Sequence, residues 1–385
     1  MRKKLSRGFI FLIIAIPLFM WLAWLLTPNT KLVLAIIDKT VLTQKGQEHI
    51  SLNWVLNHEK YTKTSDKAYK VSQDYFGFFP RENEKYKLKG LERFSYSKLN
   101  QLSNDADLVY FTDTYGIYNN EWFHDGDVNE RSGILYGGLS DKDLELLKLM
   151  KEKGKLIITE FNTIGSPTER ENRKSFEQLF QLKWTGWTAR YFNNLDIREN
   201  KEIPAWLVRN YKRSHRGDWP FKKSGIAFVN EQDEVVILEE STHLERSMPH
   251  ILTGREFQDL YDLPESIKYP FWFDIMVPNT QVNQVVSRFD IEVNSKGKEE
   301  LRKNNIPVTF PAVTRHLDDE YRFFYFSGDF ADNPVPLESS YFKWIGFFKN
   351  FFYDQRNVME RGSFFWNFYK PLLSNILEDY QKQEI

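Results

Sequence analysis

The sequence predicts an α/β fold: a parallel-sheet domain behind one N-terminal membrane-spanning helix, followed by a mixed α+β region. Three observations predict it. A buried-strand pattern, a capped helix and a second buried strand follow one another between Asp105 and Thr159. An unbroken apolar run occupies residues 9–26. Beyond residue 200 the helical period weakens and short apolar segments of strand type take over.

Residues 1–8, with Arg2, Lys3, Lys4 and Arg7, read as a basic cytoplasmic tail. Phe9 to Leu26 carry no charge and approach the ~20 residues that a helix needs to cross a bilayer. Pro17 is tolerable inside such a helix, and Trp21 and Trp24 suit its interfacial end. Only Lys31 follows closely, so the positive-inside rule keeps the N-terminus in the cytoplasm and exports the rest. A cleaved signal would want small residues before the cut, and Ala23 to Pro28 offer none in the right places. The expectation is a single-pass membrane anchor over residues 9–26 with an extracytoplasmic body.

The body begins at once. Lys31 to Ile37 reads as a buried strand ending at Asp38, and Gln47 to Asn57 as a helix. Asp74 to Pro80 reads as a loop packed down by its aromatics. Asp107 to Phe111 is a strand, and Thr112 to Tyr118 a turn at its end. Ser140 caps the next helix, Asp143 reaches back to it, and Gly154 stops it before the strand Lys155 to Thr159. Strand, helix and strand in this order imply a parallel sheet. A further helix spans Arg170 to Phe180. Ile226 to Val229 and Glu234 to Leu238 flank a hairpin turn, and Tyr341 to Tyr353 and Phe364 to Tyr380 read as aromatic helices. Residues 31–200 are expected as the first α/β domain, and 201–385 as a mixed region that forms its own unit or completes the same sheet.

Composition excludes several chemistries. With no cysteine, disulfides, thiolate nucleophiles and Cys-ligated metals are ruled out. A net charge of −1 gives no field for nucleic acid, so no such partner is expected. Aromatic residues make up 16% of the chain, enough for an aromatic core with rings left over for a sugar-stacking surface.

The stretch from Asp105 to Asn162 resembles the class I glutamine amidotransferase-like, flavodoxin-like α/β domain. Ala106 to Asp113, then Leu139 to Gly154, then Lys155 to Thr159 carry the resemblance, and Lys31 to Ile37 fits the family's first strand. The active family uses a cysteine nucleophile, and this chain has none. The resemblance therefore implies the fold and excludes glutamine hydrolysis by that route.

In open α/β sheets, ligands sit beyond the C-terminal strand ends. That rule selects Asp38, Asp113, Tyr115, Glu160 and Asn162. Carboxylates converging there can do acid–base work or bind a hard cation; the plain alternative is that they cap turns. Trp184, Trp187 and Arg190 are either a sugar platform with a guanidinium clamp or an aromatic wedge between domains. His316, Asp329 and Asp332 offer an acid–base pair or part of a metal site; the plain alternative is loop hydrogen bonding. Asp113, Glu160 and His316 are the expected catalytic set, and the others the expected ligand contacts. No metal-ligand motif occurs among the seven histidines, so no metal set is assigned, and the sequence names no cofactor. The whole implies a membrane-anchored cell-envelope protein that acts on or helps to assemble a surface polysaccharide. Its partners would be the membrane through residues 9–26 and a glycan or envelope protein. If it is an enzyme, it is a carboxylate-based hydrolase. The alternative is a non-catalytic binding or scaffold module.

Overall fold

The computed structural model describes residues 15–64, 66–123, 132–318 and 320–384. The strands β1 (Thr30–Lys31), β2 (Leu34–Asp38), β3 (Tyr61–Thr62), β4 (Phe76–Pro80), β5 (Tyr86–Leu88) and β6 (Leu108–Asp113) come first. Next are β7 (Ile117–Tyr118), β8 (Ile134–Tyr136), β9 (Leu156–Glu160), β10 (Leu182–Phe192), β11 (Gly225–Asn230) and β12 (Val235–Glu239). Then follow β13 (His250–Thr253), β14 (Ser266–Lys268), β15 (Trp272–Pro278), β16 (Gln284–Asp290), β17 (Thr309–Leu317) and β18 (Arg322–Phe326).

Ten strands form one sheet in the order β14-β13-β16-β17-β18-β9-β6-β2-β4-β5. Its five central strands, β18, β9, β6, β2 and β4, run parallel. The flanking strands pair antiparallel. The sheet is therefore mixed, which corrects the expectation of a purely parallel one. Strands from both halves of the chain share it, because β18 returns from the second half to pair beside β9.

The central strands read as apolar throughout because both faces are covered. Alternate residues serve opposite cores. Ala35, Ile37, Val109, Phe111 and Ile157 pack with Leu99, Leu144, Leu147 and Phe176 of the helices Tyr96–Asp105, Asp141–Glu152 and Arg170–Phe180. Leu34, Ile36, Tyr110 and Ile158 pack with Trp54 and Phe365 on the other side. The helix Asp141–Glu152 begins with a capping box: Asp143 N–H donates to Ser140 Oγ at 3.2 Å, and Asp143 Oδ2 accepts from Ser140 N at 2.8 Å. Gly154, at φ 64°, ends the turn before β9.

A second, antiparallel sheet, β12-β11-β10-β15, packs against the first. Asp274 N–H donates to Ser327 O at 2.7 Å and ties β15 to the end of β18.

Two local expectations change. Phe76–Pro80 is a strand rather than a loop, because Ile37 and Asp38 offer it a parallel partner. Gly77 permits the approach: a Cβ there would lie 1.6 Å from Asp38 O. The segment read as a helix over Tyr341 to Tyr353 is made of 3₁₀ turns, Leu337–Tyr341 and Ile345–Phe351.

The membrane anchor is overturned. Of residues 9–26, positions 9–14 lie outside the described residues, as does the basic tail 1–8. The described part of the run, residues 15–26, is helical. Among the described residues no helix is long and apolar enough to cross a membrane, so a single-pass cell-membrane protein is not supported. That helix docks on the body instead. Phe19 stacks on Trp344, Trp24 meets Tyr341 edge-on, and Trp24 Nε1 donates to Asn57 O at 3.0 Å.

Lys39 follows β2 and is 1% exposed. Its ammonium reaches Asp143 at 2.5 Å, Glu92 at 2.6 Å and Gly138 O at 2.9 Å. Burial works against the charge, but Asp143 and Glu92 hold the ammonium above the usual lysine range. Replacing Lys39 by Met strands the fully buried Asp143. We expect a loss of about 3–5 kcal/mol in urea unfolding, with Lys39→Met/Asp143→Asn regaining most of it. Equal losses in the single and double variants would show that the pair is not the cause.

Candidate active site

Four strand ends build the site. The register sets Asp38 of β2 opposite Asp113 of β6, and Phe326 of β18 opposite Glu160 of β9. The loops leaving these ends lie at one edge, where Asp38, Glu48, Asp113, Asp329 and Asp332 gather.

Asp113 is 4% exposed. Its Oδ1 accepts from Tyr115 N at 2.5 Å and Thr40 Oγ1 at 2.9 Å, and its Oδ2 from Asn162 Nδ2 at 3.5 Å. Burial pushes its carboxyl up to about 7, with Asp38 adding to the rise and these donors opposing it. Asp38 is fully buried and pairs through Oδ2 with His49 Nδ1. The other ring nitrogen of His49 lies 2.7 Å from Val71 O, a carbonyl that only accepts, so Nε2 carries a proton.

Glu48, Asp329 and Asp332 form the outer part. Their carboxylate oxygens lie within 4.8 Å of one another, an all-oxygen set of the kind that holds hard cations. Glu48 is partly buried; Asp329 and Asp332 are 6% and 5% exposed. Burial, then Asp332, Asp329, Asp113 and Asp38, push the Glu48 carboxyl well up. Burial and then Asp332 do the same to Asp329. Arg361 is the cation facing them: its Nη2 donates to Asp332 at 3.1 Å, and its guanidinium lies 3.7 Å above the Phe271 ring.

Two further carboxyls support the site. Glu160 is fully buried, and its Oε2 accepts from the backbone N–H of Phe330 at 2.9 Å and Ala331 at 3.2 Å. Burial, then Asp329, raise it well above the ordinary range against the two backbone donors through which it holds the 329–332 loop. Sealed from solvent, it positions Asp329 and does not meet a substrate, which corrects its assignment as a catalytic residue. Asp274 accepts from Thr188 Oγ1 at 2.9 Å, Asn162 N at 3.0 Å and Tyr325 Oη at 3.0 Å. Burial pushes it up to about 6 against these donors. It fixes Asn162, whose φ of 62° turns the chain after β9.

The other expected residues separate. Tyr115 stays at the site through its backbone, and its ring packs on Tyr118 at 5.0 Å. His316 lies at the opposite edge, because β17 runs antiparallel to β18. There it reaches Val282 O and Asp318, each at 2.7 Å, and stacks on Tyr321. It cannot act with Asp113. Trp184 and Trp187 are 5% and 6% exposed and leave no face for a sugar. Arg190 pairs with Glu202 at 2.9 Å and lies over Phe192, Phe271 and Trp272. These three residues are packing, not a platform.

Sequence reasoning missed Glu48, His49, Asp274 and Arg361. The first two lie in the loop after β2, where the strand-end rule applied to the whole loop would have found them. Asp274 and Arg361 carry no such signal. A cavity of about 450 Å³ opens on the same edge, among loops that leave β2 and β4 and the helix Asn119–Trp122. Gln44, Arg81, Glu84, Glu121 and Trp122 line it.

No family model matches the sequence, and no curated protein does. Solved structures do. One described as a ThuA-like protein, from Bacteroides uniformis ATCC 8492, is 10% identical with a TM-score of 0.34, covering 79% of this chain and 83% of its own. Another so described, from Parabacteroides merdae ATCC 43184, is 11% identical with a TM-score of 0.35, covering 78% and 79%. Agd3, a carbohydrate deacetylase, is 7% identical with a TM-score of 0.32, covering 78% of this chain and 29% of its own. The strand, capped helix, glycine stop and strand behind the amidotransferase-like resemblance are present as β6, the helix Asp141–Glu152, Gly154 and β9.

The raised carboxyl of Asp113 has a sign that can be measured. Its folded form holds a proton that the unfolded chain releases near pH 4, so its contribution to stability is full below that pH and is lost as pH rises through about 7. Glu48 and Asp329 are raised as well, with Asp113 among the causes, and act in the same direction. The melting temperature of the wild type should fall relative to that of Asp113→Asn between about pH 4 and pH 7 and level off above it. Parallel melting curves across that window would remove Asp113 as the source.

Proposed function

We propose that the chain binds a sugar unit of a polysaccharide at the acidic edge and hydrolyses a bond in it by carboxylate acid–base chemistry. The observation that carries this reading is Asp113, a carboxyl pushed up to about 7 beside the His49-paired Asp38. A carboxyl with that proton affinity can hold a proton at neutral pH and still give it up, as a general acid must. Hydroxyl-rich ligands suit a crevice rich in acceptors. The cavity of about 450 Å³ among the loops that leave β2 and β4 has room for a sugar unit.

A second reading, binding without turnover, is favoured by one fact: both oxygens of Asp113 already accept hydrogen bonds from Thr40, Tyr115 and Asn162. Incubating the chain with a panel of polysaccharides, while scoring both binding and new chain ends, separates the two. We expect product release. Asp113→Asn should lower turnover by about 10²–10⁴ while glycan affinity stays within a few-fold. Binding with no product in the wild type selects the second reading. Neither binding nor product across the panel sinks both.

A further inference from the structure

We infer that Glu48, Asp329 and Asp332 form a binding site for one hard divalent cation. The inference rests on reading this edge as the functional one, and goes beyond it by naming a ligand that needs no sugar.

The first support is reach. The three carboxylates come from separate segments, the loop after β2 and the loop after β18, and their oxygens lie within 4.8 Å of one another. Two oxygens on opposite sides of an ion with bonds of about 2.3–2.6 Å stand about 4.6–5.2 Å apart, so one cation can touch all three. An oxygen-only set selects calcium, manganese or magnesium over softer metals.

The second support is an unmet valence. Asp329 is 6% exposed, and its side chain points at Glu48 and Asp332. Among the described residues its carboxylate accepts no hydrogen bond, unlike the equally buried Asp113, Asp274 and Glu160, each held by two or three donors. Arg361 gives its hydrogen bond to Asp332, and its Nη1 has no partner. Buried carboxylates without donors are costly, and a shared cation is the arrangement that satisfies all of them together. Glu160 adds rigidity, since its oxygen holds the N–H groups of Phe330 and Ala331 between the two aspartates.

A cation at this place would lie at the mouth of the crevice, where Glu48 meets solvent. It could orient two hydroxyls of a bound sugar or polarise an oxygen of it.

The test uses the full chain and the metals alone. Titrating Ca²⁺, Mn²⁺ or Mg²⁺ into chelator-treated protein should give saturable one-to-one binding with at least one of them and raise the melting temperature. Asp329→Asn and Glu48→Gln should each weaken that binding by about tenfold or more, whereas Asp354→Asn, an exposed acid elsewhere, should leave it unchanged. In chelator, Asp329→Asn should melt at or above the wild type because it removes a like charge, so the variant remains foldable and the order should reverse when metal is added. Absence of saturable binding in the wild type, equal affinity in Asp329→Asn and Glu48→Gln, or an equal loss in Asp354→Asn would each overturn the inference. Loss of glycan turnover in Asp113→Asn is a separate readout, so the metal site and the polysaccharide reading fail independently.

Discussion

Parallel pairing of β2, β6, β9 and β18 decides which residues of this chain can meet, because strands that run the same way in register must also end together. Their ends deliver Asp38, Asp113, Glu160 and, one turn later, Asp329 to a single edge. The helices cannot make that choice. They cover the two faces and leave the edges open, so the polar groups that the strands cannot bury within the sheet collect where the strands stop. A flanking strand that runs the other way sends its own polar end to the far edge, and His316 is lost to the site for that reason alone.

Crowding acids into a nearly dry place demands compensation, and the chain uses two kinds. Asp143 has a buried ammonium, Lys39, while Asp113, Asp274 and Glu160 have hydrogen-bond donors, many of them backbone N–H groups. Each of those groups has at least one partner, although Asp143 Oδ1 and Glu160 Oε1 accept no hydrogen bond. The outer acids are different. Among the described residues Glu48, Asp329 and Asp332 face the guanidinium of Arg361, which gives its hydrogen bond to Asp332.

Much of the first half was legible. A capping box, a glycine stop and apolar runs are local signals, and they mark the helix Asp141–Glu152 and the strands β6 and β9 because only a few neighbours are needed to satisfy them. Asp38 and Asp113 were legible by the same route, since a strand end can be read from the strand. The Trp184–Trp187–Arg190 cluster misled because aromatic spacing is the same on a platform and in a core; burial alone separates them. The apolar run over residues 9–26 misled in a similar way. Hydropathy records the wish to leave water, whereas Trp24 and Phe19 meet the rings of Tyr341 and Trp344 on the body.

By itself the sequence determined the α/β class, the absence of thiol chemistry and the identity of the strand-end acids, all of which follow from residue type and local period. Tertiary structure alone decided that β18 returns to pair beside β9, that Glu160 faces inward, and that Arg361 arrives from the C-terminal segment to face Asp332. The physical reason is range. Caps, turns and strand patterns are settled within a few residues. The company that a buried charge keeps is settled by segments hundreds of residues apart, and neither spacing nor composition records which of them will meet.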